Sequence, residues 1–119
     1  MSPTLIMHEL AITQSLLDLV LEEAAKAGAS KVLKINVVLG EMSGVVDQFV
    51  EFNFDLLSKD TAAEAAAISF QNIPKQARCR KCSHVFHPED TCWACTQCQS
   101  MELEIIAGNE LYVESIEVE

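Results

Sequence analysis

From His8 to Lys26 apolar residues recur at helical spacing: Leu10, Leu17, Leu21 and Ala24 fall near one face, which Ile12, Leu16 and Leu19 broaden. Gly28 supplies the stop. Lys31 to Leu39 then switches to a period of two, with Leu33, Ile35, Val37 and Leu39 alternating against Lys34 and Asn36, the pattern of a half-buried strand that Gly40 breaks. The helical period returns from Val46 to Leu57, where Val45, Phe49, Phe52 and Leu56 recur at threes and fours. The alanine-rich stretch from Ala62 to Ala67 is an extension that the pattern does not decide. Ile68 and Phe70, separated by Ser69, give a second strand that Pro74 ends. After the Gly108-Asn109 turn signal, Leu111 to Val118 reads as a last strand. Its Leu111 and Val113 are out of phase with Ile116 and Val118, so a bulge near Glu114 or Ser115 is expected.

The cysteine-rich stretch interrupts this order between its second and third strands. The expected fold is therefore α+β: a small three-stranded sheet with two helices, formed by residues 1–74 and 108–119, and an inserted zinc-ribbon domain at 75–107. A chain of 119 residues supports one core plus a small satellite that needs its own staple.

Composition narrows the partners. The chain carries 18 acidic against 8 basic side chains, a net charge of −10, which repels phosphate backbones and anionic lipid surfaces. Nucleic acid and membrane are accordingly not expected as partners. The opening Met1 to Ile6 has no basic leader, and no window approaches the roughly 18 apolar residues of a membrane span, so the expected location is cytoplasmic.

In a reducing compartment, five cysteines between residues 79 and 98 read as metal thiolates rather than disulfides. Cys79-x2-Cys82 and Cys95-x2-Cys98 are two knuckles twelve residues apart, able to present four sulfurs tetrahedrally about 2.3 Å from Zn(2+). Cys92-x2-Cys95 is an alternative second knuckle, which would replace Cys98 with Cys92. The Cys95 and Cys98 pairing is preferred, because it leaves a short polar turn between ligands and a strand-like Leu103 to Ile105 beyond them. His84 and His87 lie near Cys82 and could compete for the metal, although two solvated loop histidines explain them equally well. Four filled positions leave no open coordination site, so this zinc is structural rather than catalytic.

Met7-His8-Glu9 has different chemistry. In a chain beginning at Met7, the terminal amine, the His8 backbone nitrogen and the His8 imidazole can reach one ion, a nitrogen-rich tetragonal set that suits Ni(2+) or Cu(2+). Glu9 adds an oxygen or orients the imidazole. Glu41 and Asp47 are further carboxylates in reach of such a site, but a solvated acid or a helix cap is the commoner role of each. Exposed borderline ligands can release an ion to a better-ligated destination, which is the chemistry of a carrier.

Taken in order, Met7-His8-Glu9-Leu10-Ala11-Ile12, Leu39-Gly40-Glu41, Cys79-x2-Cys82-Ser83-His84-x-Phe86, Cys95-x2-Cys98 and the ending Gly108-Asn109-Glu110-Leu111 through Ser115-Ile116-Glu117-Val118 resemble the HypA/HybF family of hydrogenase nickel incorporation proteins. The resemblance implies a nickel metallochaperone for nickel-iron hydrogenase maturation, in some relatives also for urease. Its implied partners are a maturation GTPase and the hydrogenase large subunit, and a homodimer is allowed for. It also implies His8 and Glu9 as nickel ligands, with Met7 acting through its backbone or terminal amine, and Cys79, Cys82, Cys95 and Cys98 as zinc ligands. The six residues before Met7 depart from the family pattern, since the amine is lost to the site in a chain that starts at Met1.

Two other readings compete. A zinc-ribbon adaptor that binds protein or nucleic acid without carrying nickel fits the knuckles but not the acidic balance. A thiol oxidoreductase needs one exposed thiol of low pKa, whereas these thiols come as two pairs. No Ser-His-Asp set, phosphate-cradling loop or paired-carboxylate site is visible, so the chain reads as a non-enzyme.

Overall fold

The computed structural model describes the backbone of residues 3–89 and 92–119 and the side chains of 9–89 and 92–119. The elements are α1 (Pro3–Lys26), β1 (Val32–Gly40), α2 (Asp47–Leu57), β2 (Ala67–Ile73), β3 (Gln76–Cys79), β4 (Val85–Phe86), β5 (Leu103–Ala107) and β6 (Leu111–Val118). They fall into two units, one of residues 1–38, 45–71 and 112–119, the other of residues 39–44 and 72–111.

In the first unit, β1 is the middle strand of a three-stranded sheet in the order β2-β1-β6, and two helices accompany it, as the alternating and helical periods require. The core is built from Leu17, Val20 and Ala24 of α1, Val32, Ile35 and Val37 of β1, Phe54 of α2, and Ala63 and Ala66. Ile68, Phe70, Val113, Ile116 and Val118 pack around it half-buried.

α1 begins at Pro3, earlier than the pattern indicates, with proline at the first helical position where its missing N–H costs nothing. It ends at Gly28, whose φ of +68° lets the N–H of Ala29 reach the Ala24 carbonyl and that of Gly28 reach Ala25. Its buried line runs through Glu9, Thr13, Leu17, Val20 and Ala24. Leu10 and Leu19, expected on the core face, are exposed instead. The line is displaced from the leucines because Glu9 and Thr13 find internal hydrogen bonds, Thr13 Oγ1 donating to the Glu9 carbonyl at 2.7 Å.

α2 departs further from its pattern. Val50 and Phe54 are its buried residues, while Phe52 and Leu56, expected in the core, are 63% and 52% exposed. Apolar residues cover more than one face of this helix, and only the Val50 and Phe54 side is buried, where α2 packs beside α1. Nor does the helix extend through the alanines: Ser58 closes it with an N–H to the Phe54 carbonyl, and Thr61 to Ala66 form successive turns, with Ala65 at φ +64°. Ala63 and Ala66 are buried there because small side chains let the turns lie close to the core.

On β1 the alternation holds only from Ile35 to Val37; it fails at the start of the strand and again at its end, where Val37 to Gly40 are all buried. Leu33 is 46% exposed and Val32 is buried, its N–H bonded to the Ala62 carbonyl at 2.8 Å. Along β6, half-buried positions alternate through Leu111 and Val113, then shift phase across Glu114 and Ser115 to Ile116 and Val118.

In the second unit, β3 is the middle strand of an antiparallel sheet in the order β4-β3-β5. Ala77 faces Phe86 on one side and Ile105 on the other, and Cys79 faces Leu103. Among the described residues the buried cluster is Ala77, Cys79, Phe86 and Cys95, with Cys82, Leu103 and Ile105 half-buried against it. So small a core cannot offset the entropy of ordering the surrounding loops, which points to a metal as the staple.

Candidate metal centre

The sulfur cluster is built from two turns of the same design. In the first, the N–H of Cys79 donates to the His84 carbonyl at 2.9 Å, and the N–H of Ser83 returns to the Cys79 carbonyl at 2.9 Å. In the second, the N–H of Cys95 donates to the Ser100 carbonyl at 2.8 Å, and the N–H of Gln99 returns to the Cys95 carbonyl at 2.9 Å. Ser83 and Gln99 occupy equivalent positions with φ of +65° and +62°. That left-handed residue bends the chain sharply after each second cysteine, so both sulfurs of a turn point the same way.

The four sulfurs of Cys79, Cys82, Cys95 and Cys98 all lie within 4.8 Å of one another. Cys79 and Cys98 approach to 3.6 Å, and Cys82 and Cys95 to 3.5 Å. A tetrahedron with metal-sulfur bonds of about 2.3 Å has sulfur-sulfur edges of about 3.8 Å, so the set fits one zinc ion. Main-chain N–H groups of Gln97 and Cys98 point at Cys95 Sγ, each at 3.4 Å. Such donors stabilise thiolate charge.

The thiols are split in their acidity. Cys79 is drawn down to about 6, chiefly by the Cys82 N–H, with burial opposing and the Lys81 N–H and nearby thiols assisting. Cys95 is also lowered: its burial resists, but the N–H groups of Cys98 and Gln97 and the neighbouring thiols outweigh it. Cys82 goes the other way, to about 12; the His84 N–H lowers it, yet burial and the sulfurs of Cys95, Cys98 and Cys79 together prevail. Cys98 is raised as well, the Ser100 N–H being outweighed by burial and by the Cys79 and Cys95 sulfurs. Each close sulfur pair thus joins one acidic thiol to one reluctant one. A divalent cation placed among them replaces the shared protons.

Other residues named from the sequence lie elsewhere. Cys92 is exposed and outside the cluster, its N–H bonded to the Glu89 carbonyl at 3.2 Å. His84 stacks on Phe86, ring centroids 5.7 Å apart, with Nε2 3.1 Å from Thr96 Oγ1. His87 Nδ1 lies 3.0 Å from the Lys75 carbonyl. Asp47 is in the first turn of α2 and accepts the Gln48 N–H at 2.8 Å, a helix-start role.

Glu41 is engaged by a residue that sequence reasoning missed. Its Oε1 accepts the Lys75 N–H at 3.1 Å, and its Oε2 lies 3.4 Å from Lys75 Nζ. Lys75 is buried, and its ammonium stands 6.0 Å from the centre of the Trp93 ring. Only the folded register brings these residues together; nothing in Pro74-Lys75 itself signals it.

Of the Met7-His8-Glu9 set, the side chains of Met7 and His8 lie outside the described residues. Glu9 is fully buried, with Oε2 accepting the Val46 N–H at 2.7 Å and Oε1 without a hydrogen-bond partner among the described residues. A buried carboxylate oxygen so placed is a ready acceptor for a cation or an imidazole N–H.

A family profile described as hydrogenase/urease nickel incorporation, metallochaperone, HypA matches residues 7–118. This chain belongs to the HypA family. Within that family it is 46% identical over 113 residues to the hydrogenase maturation factor HypA of Dehalococcoides mccartyi, covering 95% of each chain. Two solution structures share its fold. One, of a HypA protein, superposes with a TM-score of 0.71 at 29% identity, covering 94% of this chain and 96% of the other. The second, the Ni metallochaperone HypA from Helicobacter pylori, gives 0.64 at 28% identity, covering 92% and 96%. The HypA match opens at Met7, the residue before His8 and Glu9, and takes in all four clustered cysteines. Among the described residues, no helix is long and apolar enough to cross a membrane.

Proposed function

We propose that this HypA-family chain carries Ni(2+) during hydrogenase maturation by means of Met7-His8-Glu9, while Cys79, Cys82, Cys95 and Cys98 hold a structural zinc. One observation carries the reading: the sulfur cluster is complete with four thiols, all of them supplied by the two Cys-x2-Cys turns. A closed four-sulfur set grips its ion and offers no exchangeable position. Nickel as cargo then falls to nitrogen and oxygen donors, the His8 imidazole, main-chain or terminal nitrogen at Met7 and His8, and Glu9 as oxygen donor or orienter of the imidazole.

Zinc, when bound, supplies cross-linking of the two turns and no reaction. The chain acts without catalysis of its own, in the cytoplasm, and hands nickel on with a maturation GTPase toward the hydrogenase large subunit. The division into a nickel-binding domain and a zinc ribbon follows the same logic, with transient ligands in one and permanent ligands in the other.

X-ray absorption on protein loaded with both ions tests this. One zinc in an all-sulfur shell, and nickel bound by nitrogen and oxygen that His8→Ala abolishes, is the expected result. Nickel settling only among the thiolates would overturn the reading. Calorimetric titration of the chains beginning at Met1 and at Met7 then decides the amine's part, since equal affinities and equal ligand sets would exclude it.

A further inference from the structure

Phe52 is 63% exposed and Leu56 52% exposed, one turn apart on α2, while the helix meets the core through Val50 and Phe54. Residues four apart are neighbours on a helix surface, so Phe52 and Leu56 form one apolar ridge. Beside it runs a second ridge made wholly of acids, Asp47, Glu51 and Asp55. Glu51 and Asp55 have no ion-pair partner among the described residues, and α2 contains no lysine or arginine.

The charge is unevenly spread along the chain. Residues 75–107 are balanced, four bases against four acids, so the whole net charge of −10 falls on the rest. An aromatic side chain left this bare, with a leucine beside it and unpaired acids along its edge, is the composition of a docking patch rather than of an ordinary solvated helix face. The same field selects the occupant. A second copy would bring acids against acids, and an anionic lipid or nucleic acid would be repelled more strongly still.

We infer that the outer face of α2 docks a partner protein that offers an apolar pocket for Phe52 and Leu56, rimmed by lysine or arginine facing Glu51 and Asp55. Burial of the phenylalanine and leucine holds the complex, and the acidic ridge speeds encounter and sets orientation. The inference uses the delivery reading only to choose probes.

The test takes the full zinc-loaded chain and two purified probes, the maturation GTPase and the hydrogenase large-subunit precursor of the same pathway, by surface-immobilised binding kinetics at low and physiological salt. The wild-type chain should bind at least one, with an association rate that falls as salt rises. Phe52→Ala combined with Leu56→Ala should weaken that affinity by about tenfold or more, mainly through faster dissociation. Glu51→Arg combined with Asp55→Arg should slow association and flatten its salt dependence. Met101→Ala, at a still more exposed apolar residue elsewhere, should change nothing. All positions are exposed, so zinc content and melting temperature should hold.

Binding that is unchanged in both α2 variants would overturn the inference. So would failure of the wild-type chain to bind either probe, and if His8-dependent nickel binding persisted in that case the delivery reading would stand without this surface. Wild-type self-association that the Phe52 and Leu56 variant abolishes, seen by sedimentation, would reassign the face to a second copy.

Discussion

The carboxylate of Glu9, on α1, accepts the main-chain N–H of Val46 at the start of α2, at 2.7 Å. Val46 is the N-cap of α2 and has no side-chain oxygen to close the helix, and Phe49 stands three residues later where a capping box would place Glu or Gln. Glu9 supplies from another helix the acceptor that the local sequence lacks, at the end where the helix dipole favours negative charge. One residue of the proposed nickel motif is thereby tied to the first turn of α2.

Replacing Glu9 should therefore register in stability as well as in nickel binding. Glu9→Ala removes the acceptor and leaves a buried gap, an expected loss of about 2 to 4 kcal/mol. Glu9→Gln keeps the shape and one acceptor and should cost about 1 kcal/mol. Urea unfolding of the zinc-loaded variants measures both, and equal midpoints for wild type and Glu9→Ala would show the bond to be idle.

Removing zinc should unmake one unit selectively. Four buried residues cannot hold β3, β4 and β5 together, whereas bound zinc supplies on the order of 10 kcal/mol. After chelation, amide protection at Ala77, Cys79 and Leu103 should disappear while that of Leu17, Ile35 and Phe54 persists, as read by hydrogen exchange. Cys92→Ser should leave zinc stoichiometry at one, and a halved zinc content would place Cys92 among the ligands.

The split acidities make zinc binding a proton-releasing step. In the folded turns Cys79 is drawn to about 6, while Cys82, at about 12, and the raised Cys98 keep their protons. Where the zinc-free unit unfolds, all four thiols return toward the ordinary value of about 8.5 and are mostly protonated at neutral pH. Binding must expel at least the Cys82 and Cys98 protons, so affinity should rise ~100-fold per pH unit near neutrality. The sign follows from the bound state: metal depresses the thiol pKa values, so its stabilisation is present at high pH and is lost as pH falls. Calorimetry in buffers of different ionisation enthalpy counts the protons, and a count near zero would contradict this arrangement.

Two glycines stand where no side chain fits. A Cβ on Gly40 would collide with the backbone carbonyl of Gly108 and lie 2.6 Å from the Glu110 nitrogen. One on Gly108, itself at φ +112°, would lie 2.7 Å from Lys75 Cα. These obstacles are main chain and cannot rotate aside, so Gly40→Ala and Gly108→Ala should each cost about 3 kcal/mol or more. Gly28→Ala meets open space and should lose only about 1 kcal/mol, for its positive φ. Thermal melts rank the three, and a mild Gly40→Ala would refute the close approach.

Local rules reached far into this chain. The strand at β1, the stop at Pro74, the phase change of β6 and the paired cysteines each depend on residues close in sequence, and each has its counterpart in the structure, although the strict period of two in β1 does not. The α2 face was misjudged because Phe49, Phe52 and Leu56 keep helical spacing as faithfully as Val50 and Phe54 do. Hydrophobicity alone does not say which side will be buried. Glu9 and Thr13 were missed as buried residues because their partners, the Val46 N–H and a carbonyl one turn back, make polar atoms tolerable inside.

By itself the sequence determined the order and type of α1, β1, α2, β2 and β6, the presence of paired cysteine turns and the family, because spacing and residue chemistry act over a few positions along the chain. Only the tertiary structure decided that Cys98 rather than Cys92 joins the cluster, that Glu41 meets Lys75, that Glu9 caps α2 and that Phe52 is left bare. Those outcomes depend on which groups come within bonding distance across separations of 13 to 37 residues, and that distance is set by packing.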